Sequence, residues 1–316
     1  MSDSVAFVNA TVNDIRAILP LFKAIVPHYP RSAVYYRWAH FDHPVRESRV
    51  IVGRADSRVV AHVAISALDV GASKPVGFPQ QVLVHPHYRK ISVTLQLIEK
   101  INATITNEFA YGIGFPNDMF APVLQSVGGW SVHDPIVDIV VDPNCDDRTT
   151  KGDFMDHLLT DPLPSRESFD DTLWSDLPGQ PSAVKINYNW FLWRYMHHPN
   201  QHYDVFVVRR HGVIVGYTVI KIYERDDRGG VAHMIDARWS DSTATRELMD
   251  VVRDYCRYQR VRYMTTWDVS SYAGFLSEVG QRVELHDFTP VRTNCMSYNS
   301  AEGKPAGLFM GISDVY

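Results

Sequence analysis

One stretch of the chain returns later in altered form. "VYYRWAHFDHP" at 34–44 recurs as "NWFLWRYMHHP" at 189–199, and at a constant offset of 155 Tyr35, Trp38, His43 and Pro44 fall on Trp190, Trp193, His198 and Pro199. Further along, Val50 and Val52 fall on Val205 and Val207, and Val59, Val60 and Ala61 on Ile214, Val215 and Gly216. The offset then becomes 152, with Tyr111 on Tyr263 and "LQSVG" (124–128) on "LSEVG" (276–280). Aromatic helices and β-branched strands coincide by accident one at a time, but not in the same order over such a length. The pattern predicts an internal duplication, and hence a fold that the chain builds twice. A length of 316 residues agrees, since one core rarely serves more than about 250–300 residues.

Polar, turn-rich "DPNCDDRTTKGD" (142–153) and "DLPGQPS" (176–182) mark the junction. The expected division is a first domain at 1–142, a linker at 143–164 and a second domain at 165–316. "SRESFDDTLWSDL" (165–177) is expected to hold the second copy's first helix.

Within the first copy, "VAFVNA" (5–10) alternates as a strand does, and Thr11 with Asp14 resembles a capping box with Asp in place of Glu or Gln. Ile15, Ile18, Leu19, Phe22 and Ile25 keep helical spacing, and Pro20 among them is expected to kink or split the helix. A second helix puts Val34, Tyr35, Trp38 and Phe41 on one face and ends before Pro44. "SRVIVGRADSRVVAHVAI" (48–65) reads as a hairpin turning at Ala55-Asp56-Ser57, matched by a second turn at Arg210-His211-Gly212. A third strand (76–84), a helix carrying Leu97, Ile98, Ile101, Ile105 and Phe109, a strand (110–115), a short helix near 118–127 and a strand (135–142) follow. The order β-α-α-β-β-β-α-β-α-β predicts an α/β class, with a mixed sheet flanked by helices in each of two tandem domains.

The net charge of −5 gives no reason to expect nucleic acid or an anionic membrane as partner. The N-terminus lacks the basic and apolar regions of a signal peptide, and no apolar run reaches membrane-spanning length. Cys145, Cys256 and Cys295 lack metal-ligand spacing and read as free thiols, so a cytoplasmic location is expected. His85, His87, His197 and His198 have no third ligand at suitable spacing, and no metal is expected.

Chemistry concentrates where a strand ends in "VHPHYRKIS" (84–92) and a helix opens. The first N–H groups of a helix have no intrahelical partner, and with the dipole they attract anions. Arg89 and Lys90 add positive charge that suits a pyrophosphate; the other reading is a solvated basic loop. The ensemble resembles the GNAT superfamily of acyl-CoA-dependent N-acyltransferases. Val84, Pro86, Tyr88 and Arg89 match its V-x-P-x-Y-R loop, and "GFPN" (114–117) and "VGGW" (127–130) look like its later blocks. Ser92 and Thr94 stand where the family has Gly and Gly/Ala, so a Cβ crowds the phosphate while a hydroxyl offers it a hydrogen bond. "RWSDSTATREL" (238–248) in the second copy has no comparable loop, so one cofactor site is expected, in the first copy.

The resemblance implies acetyl-CoA, or another acyl-CoA, as co-substrate, held by Leu83, Val84, Arg89, Lys90, Ile91, Ser92, Val93 and Thr94, with an N–H near Leu83 or Val84 facing the developing oxyanion. It also implies that Asn117 contacts the cofactor near its sulfur; the alternative is a helix cap. Leu124 occupies the family's usual tyrosine acid position. Asp118 is the carboxylate candidate for catalytic base, against a solvated helix-start aspartate. Substrate contacts are expected from Gln81 and Tyr36, and from Asp236 unless it is a buried hydrogen-bond hub. Gln80 is a further polar group on the central strand. The buried faces of the two aromatic helices border the expected acceptor cleft. The expected reaction is acyl transfer to a small-molecule amine, and long two-copy chains with "GFPN" look like bacterial acyltransferases of surface-sugar pathways, which implies an amino sugar. The alternative is a non-catalytic binding or scaffold protein that has kept the fold.

Overall fold

A computed structural model describes residues 4–27, 32–142, 154–159, 163–174, 184–223, 230–267 and 292–300. The chain divides into two compact units. The first consists of the described residues of Met1–Pro135, His198–Asn200 and Thr293–Lys304. Cys145, Leu276–Gly280 and the stretch 176–182 lie outside the described residues.

In the first unit β1 (Ala6–Asn9) leads through a 3-10 turn into α1 (Ile15–Ile25), and α2 (Ala33–His40) follows. The carboxylate of Asp14 accepts from the Thr11 N–H at 2.8 Å and pairs with Arg54 at 2.6 Å, tying the helix entry to the sheet. Contrary to expectation, α1 runs unbroken through Pro20. The proline removes one backbone bond, but Ile15, Ile18, Leu21 and Phe22 stay buried against Val50, Val52, Val59 and Ala64, and this packing holds the helix together. The Ser32 hydroxyl caps α2 by accepting from the Tyr35 N–H at 3.0 Å. On α2 the buried face is Tyr35, Tyr36 and Trp38, whereas Val34 is 67% exposed, one residue off the predicted stripe.

The strands β2 (Arg49–Ala55), β3 (Arg58–Leu68) and β4 (Val76–Val84) form an antiparallel meander. β2 and β3 turn at Asp56-Ser57, with Asp56 at φ +53°. α3 (Ile91–Glu108) then crosses over to β5 (Gly112–Gly114), which lies parallel to β4, and α4 (Ala121–Gly128) follows. β3 is buried along nearly its whole length because both faces are covered. One face meets α1 and α2; the other meets Leu97, Ile98, Ile101 and Ile105 of α3 and Leu124 of α4. The tandem boundaries place the chain's end in the second copy, yet β11 (Arg292–Tyr298) pairs antiparallel with β5 and its Met296 joins this core. β5 is only three residues long, and β11 covers the backbone groups of its open edge.

The second unit is built on β6 (Ser131–Val141, from Ile136 onward), α5 (Tyr188–Phe191), β7 (Asp204–Arg210), β8 (Val213–Tyr223), β9 (Gly230–Trp239), α6 (Ser242–Tyr258) and β10 (Val261–Trp267). Its order of two antiparallel pairs, a crossover helix and a parallel strand recurs from the first unit. His211 and Gly212 turn the hairpin, both at positive φ. The helix expected at 165–177 is replaced in its described part by two 3-10 turns, Arg166–Ser168 and Asp171–Trp174. Between them the Asp170 carboxylate accepts from the N–H and hydroxyl of Thr172, a local alternative to helix hydrogen bonding.

Candidate functional site

β4 and β5 share a single register pair, Gly77 with Gly112, and then part. Toward their C-terminal ends lies a groove of about 650 Å³. Pro79–Val84 form one wall and Gly114–Asn117 the other, Leu97 and Ile101 of α3 lie beneath, and Val123, Leu124 and Trp130 close the side. Gly112 permits the close packing at the apex, since a Cβ there would stand 2.7 Å from Ile105 and 3.1 Å from Trp130. Thr94 and Arg89 also line the groove.

β4 is irregular within this wall. Its register against β3 slips between His62 and Ala64, so that Gln81 and Val82 together face one residue of β3. Gln81 sits at φ +55°, a left-handed conformation uncommon outside glycine. The bulge is held from behind. His62 Nδ1 lies 2.8 Å from the Gln81 carbonyl oxygen, and His40 Nε2 lies 3.0 Å from Gln81 Oε1.

α3 opens at Lys90 with extended backbone, and the Lys90 side chain makes no capping hydrogen bond to the first turn. The Arg89 Nε–H donates to the Val84 carbonyl at 3.1 Å, which places the guanidinium over the end of β4. The Thr94 hydroxyl lies 3.4 Å from the Lys90 carbonyl, to which it donates within the helix.

The predicted cofactor residues thus separate into groups. Leu83, Val84, Arg89, Thr94 and Asn117 line the groove. Lys90, Ile91 and Ser92 stand at the helix opening outside the groove lining, and Ile91 is 68% exposed. The Val93 side chain is core, packed with Val5, Ala55 and Val60. Asn117 lines the groove, and its Oδ1 accepts from the Phe120 N–H at 2.9 Å ahead of α4.

The catalytic and substrate candidates fare differently. Asp118 is exposed and does not line the groove; its carboxylate accepts from Asn294 Nδ2 at 2.8 Å, and that amide also bonds the Pro116 carbonyl. Tyr36 is fully buried, hydrogen-bonded to His62 at 2.6 Å and away from the groove, because its helix face is needed by the core. Gln81 and Gln80 line the groove, and Gln80 Nε2 donates to the Ser66 hydroxyl at 2.6 Å. Among the described residues Arg89 is the only ionisable side chain in the lining. His40 and His62, which grip the bulge, carried no signal in the sequence beyond a helix end and an apolar strand.

Asp236 is 1% exposed, and its Oδ2 accepts from the hydroxyls of Tyr217 at 2.9 Å and Tyr195 at 3.1 Å, the arrangement of a hub. In the second unit β9 and β10 stay paired from Gly230–Val261 to His233–Thr265. The opening of α6 is filled by the chain itself: the Asp241 carboxylate accepts from the N–H groups of Thr243 at 2.8 Å and Ala244 at 2.9 Å. Those bonds hold its carboxyl below the usual range. An anion already sits where a phosphate would bind. No group of His, Cys, Asp and Glu suited to a metal occurs among the described residues, and no described helix is long and apolar enough to cross a membrane.

No protein-family model and no curated protein sequence matches the chain. Solved structures do. A GCN5-related N-acetyltransferase from Anabaena variabilis superposes with a TM-score of 0.66 at 12% identity, over 93% of this chain and 72% of that one. A probable N-acyltransferase from Enterococcus faecalis gives 0.65 at 10% identity over 93% and 72%. An N-myristoyltransferase from Saccharomyces cerevisiae with bound myristoyl-CoA gives 0.59 at 13% identity over 98% and 82%. At such identities the likeness establishes the fold: this chain has the GNAT fold of the GCN5-related N-acetyltransferases and N-myristoyltransferases.

Proposed function

We propose that the chain is an acyl-CoA-dependent N-acyltransferase whose first unit holds the acyl-CoA. One observation carries the reading: β4 and β5 part over a groove that leads from an uncapped helix opening, while the corresponding strands and helix of the second unit are paired and capped. A blocked groove would have favoured the scaffold alternative. The opening amides of α3 and the Arg89 guanidinium would take the diphosphate, where dipole and charge act together. The β4 wall from Pro79 to Val84 would lie along the pantetheine arm, its outward N–H and C=O groups making strand-like bonds. Leu97, Ile101, Val123 and Leu124 keep the thioester end dry.

When bound, the acyl-CoA supplies an acyl group whose thiolate leaves as an amine nitrogen bonds to the thioester carbon. The chain orients this exchange through the β4 amides after Gln81, which face the oxygen where negative charge develops; such a preorganised donor is worth about 2.7–4 kcal/mol in other acyl-transfer sites. With Arg89 the only ionisable group in the lining among the described residues, the amine proton leaves through water rather than to Asp118. The acceptor is proposed as an amine on a small molecule or peptide; no groove residue argues for a sugar over another amine. A structural neighbour described as a glucosamine N-acetyltransferase region shares the fold at 15% identity with a TM-score of 0.54, and the myristoyltransferases share it as closely.

The test is titration of the full chain with acetyl-CoA while the melting temperature is followed. Stabilisation that grows with ligand as mass action requires supports the reading, and an unchanged melting temperature at millimolar acetyl-CoA refutes it.

A further inference from the structure

The grip on Gln81 has a counterpart. At the offset of 155, His40, His62 and Gln81 correspond to Tyr195, Tyr217 and Asp236. In both units a residue of the aromatic helical segment and one of the second meander strand reach the same point of the third. The chemistry differs. In the second unit the two tyrosine hydroxyls donate to the carboxylate of Asp236, a side chain, and Asp236 is not among the residues at positive φ. In the first unit His62 holds the main-chain carbonyl of Gln81, and Gln81 is left-handed. The Asp236 carbonyl accepts from the Thr218 hydroxyl at 3.2 Å and β9 also slips register beside it, so the first unit is set apart by the imidazole on the carbonyl and by the left-handed residue that carries it.

The partners assign the protons. A carbonyl oxygen only accepts, so His62 Nδ1 carries the hydrogen directed at Gln81. A neutral ring then accepts at Nε2, and the Tyr36 hydroxyl donates there at 2.6 Å. The position corresponding to Tyr36 is Phe191, next to a tyrosine pair that has no tautomer to fix. Both His62 and Tyr36 are fully buried and neither lines the groove, so they act through Gln81 rather than on a ligand.

We propose that His62 is a positioning residue: held by Tyr36 with its proton on Nδ1, it keeps Gln81 left-handed and so presents those β4 N–H groups past Gln81 that point away from β3, such as that of Val84, to a thioester carbonyl in the groove. This deepens the acyltransferase reading and rests on it. A left-handed non-glycine residue is strained and persists only where its surroundings impose it. Loss of the clamp therefore lets β4 relax to regular pairing, which removes the donor without closing the groove.

The test uses coenzyme A and [1-13C]acetyl-CoA as probes of the wild type and of His62→Leu, His62→Asn and Tyr36→Phe. Calorimetry gives the two affinities, and isotope-edited infrared difference spectra give the bound carbonyl stretch. In the wild type the stretch falls below that of free acetyl-CoA. In His62→Leu it returns to the free value and acetyl-CoA binds about three- to tenfold more weakly, the worth of one neutral hydrogen bond, while coenzyme A changes by less than about twofold. Asn keeps a donor near the Nδ1 position and restores the wild-type band. Tyr36→Phe keeps the ring that the second copy carries, so it covers the case of an unfolded His62→Leu, and it too moves the band toward the free value. An unmoved band in these variants overturns the proposal, as does equal weakening of both ligands. Failure of the wild type to bind coenzyme A overturns the acyltransferase reading itself, and the two failures are distinct.

Discussion

Asp138 provides the sharpest thermodynamic test of the second unit. It lies on β6 opposite Trp267 of β10, is 5% exposed, and its Oδ1 has no hydrogen-bond partner among the described residues. Burial pushes its carboxyl from the ordinary 3.8 up to about 7. Between those values the native state holds a proton that the unfolded chain has released, so stability falls as pH rises through the window and levels off above it. The slope there is about 1.4 kcal/mol per pH unit. From pH 5 to pH 8 the wild type should therefore lose on the order of 2–3 kcal/mol relative to Asp138→Asn, whose side chain does not titrate. Urea melts of both proteins at several pH values across that range would measure the difference, which cancels all other titrating groups. Curves that run parallel from pH 5 to pH 8 would show that the carboxylate is solvated or paired in solution, and the reasoning from burial would be wrong.

Arg89→Glu should weaken acetyl-CoA binding about tenfold or more, since a charge-assisted hydrogen bond is worth roughly 1.5–3 kcal/mol and is here replaced by repulsion; Arg246→Glu on α6 should change it little, and equal effects in calorimetry would place the site in the wrong unit. Asp241→Ala removes the cap of α6 and should cost about 1 kcal/mol of stability in denaturant melts. It should not create a second acetyl-CoA site, because β9 and β10 remain paired; a stoichiometry of two would contradict this. Gly53→Ala puts a Cβ 2.8 Å from Val5 and 2.9 Å from Ala61, both buried, and overpacking of this kind should cost about 1–3 kcal/mol, seen as a lower melting temperature.

Some of the site was legible in residue order. The strand, basic loop and helix at 76–109 follow from turn chemistry and 3.6-residue spacing, and the groove lies beside them. The Asp241 cap was present in "WSDSTA", but an aspartate before a helix reads equally as surface charge until its oxygens are seen on the Thr243 and Ala244 amides. The placement of Asp118 and Tyr36 outside the groove lining was not legible for the same reason. Position along an element says which turn a residue occupies, but not whether its side chain faces the groove, Asn294 or the core. Val34 was assigned to the wrong face because eight residues of helix leave the stripe ambiguous by one position.

What the sequence alone determined is local. Apolar periodicity set which segments become helices or strands, and turn residues set the hairpins. The tertiary structure decided the rest: that β11 from the chain's end completes the sheet of the first unit, that Pro20 is tolerated, that β4 bulges at Gln81, and that a groove opens beside β4. These depend on contacts between residues tens to hundreds of positions apart, such as His62 with Gln81 and Met296 with Gly114, whose worth comes from burial and partner geometry that no local pattern encodes.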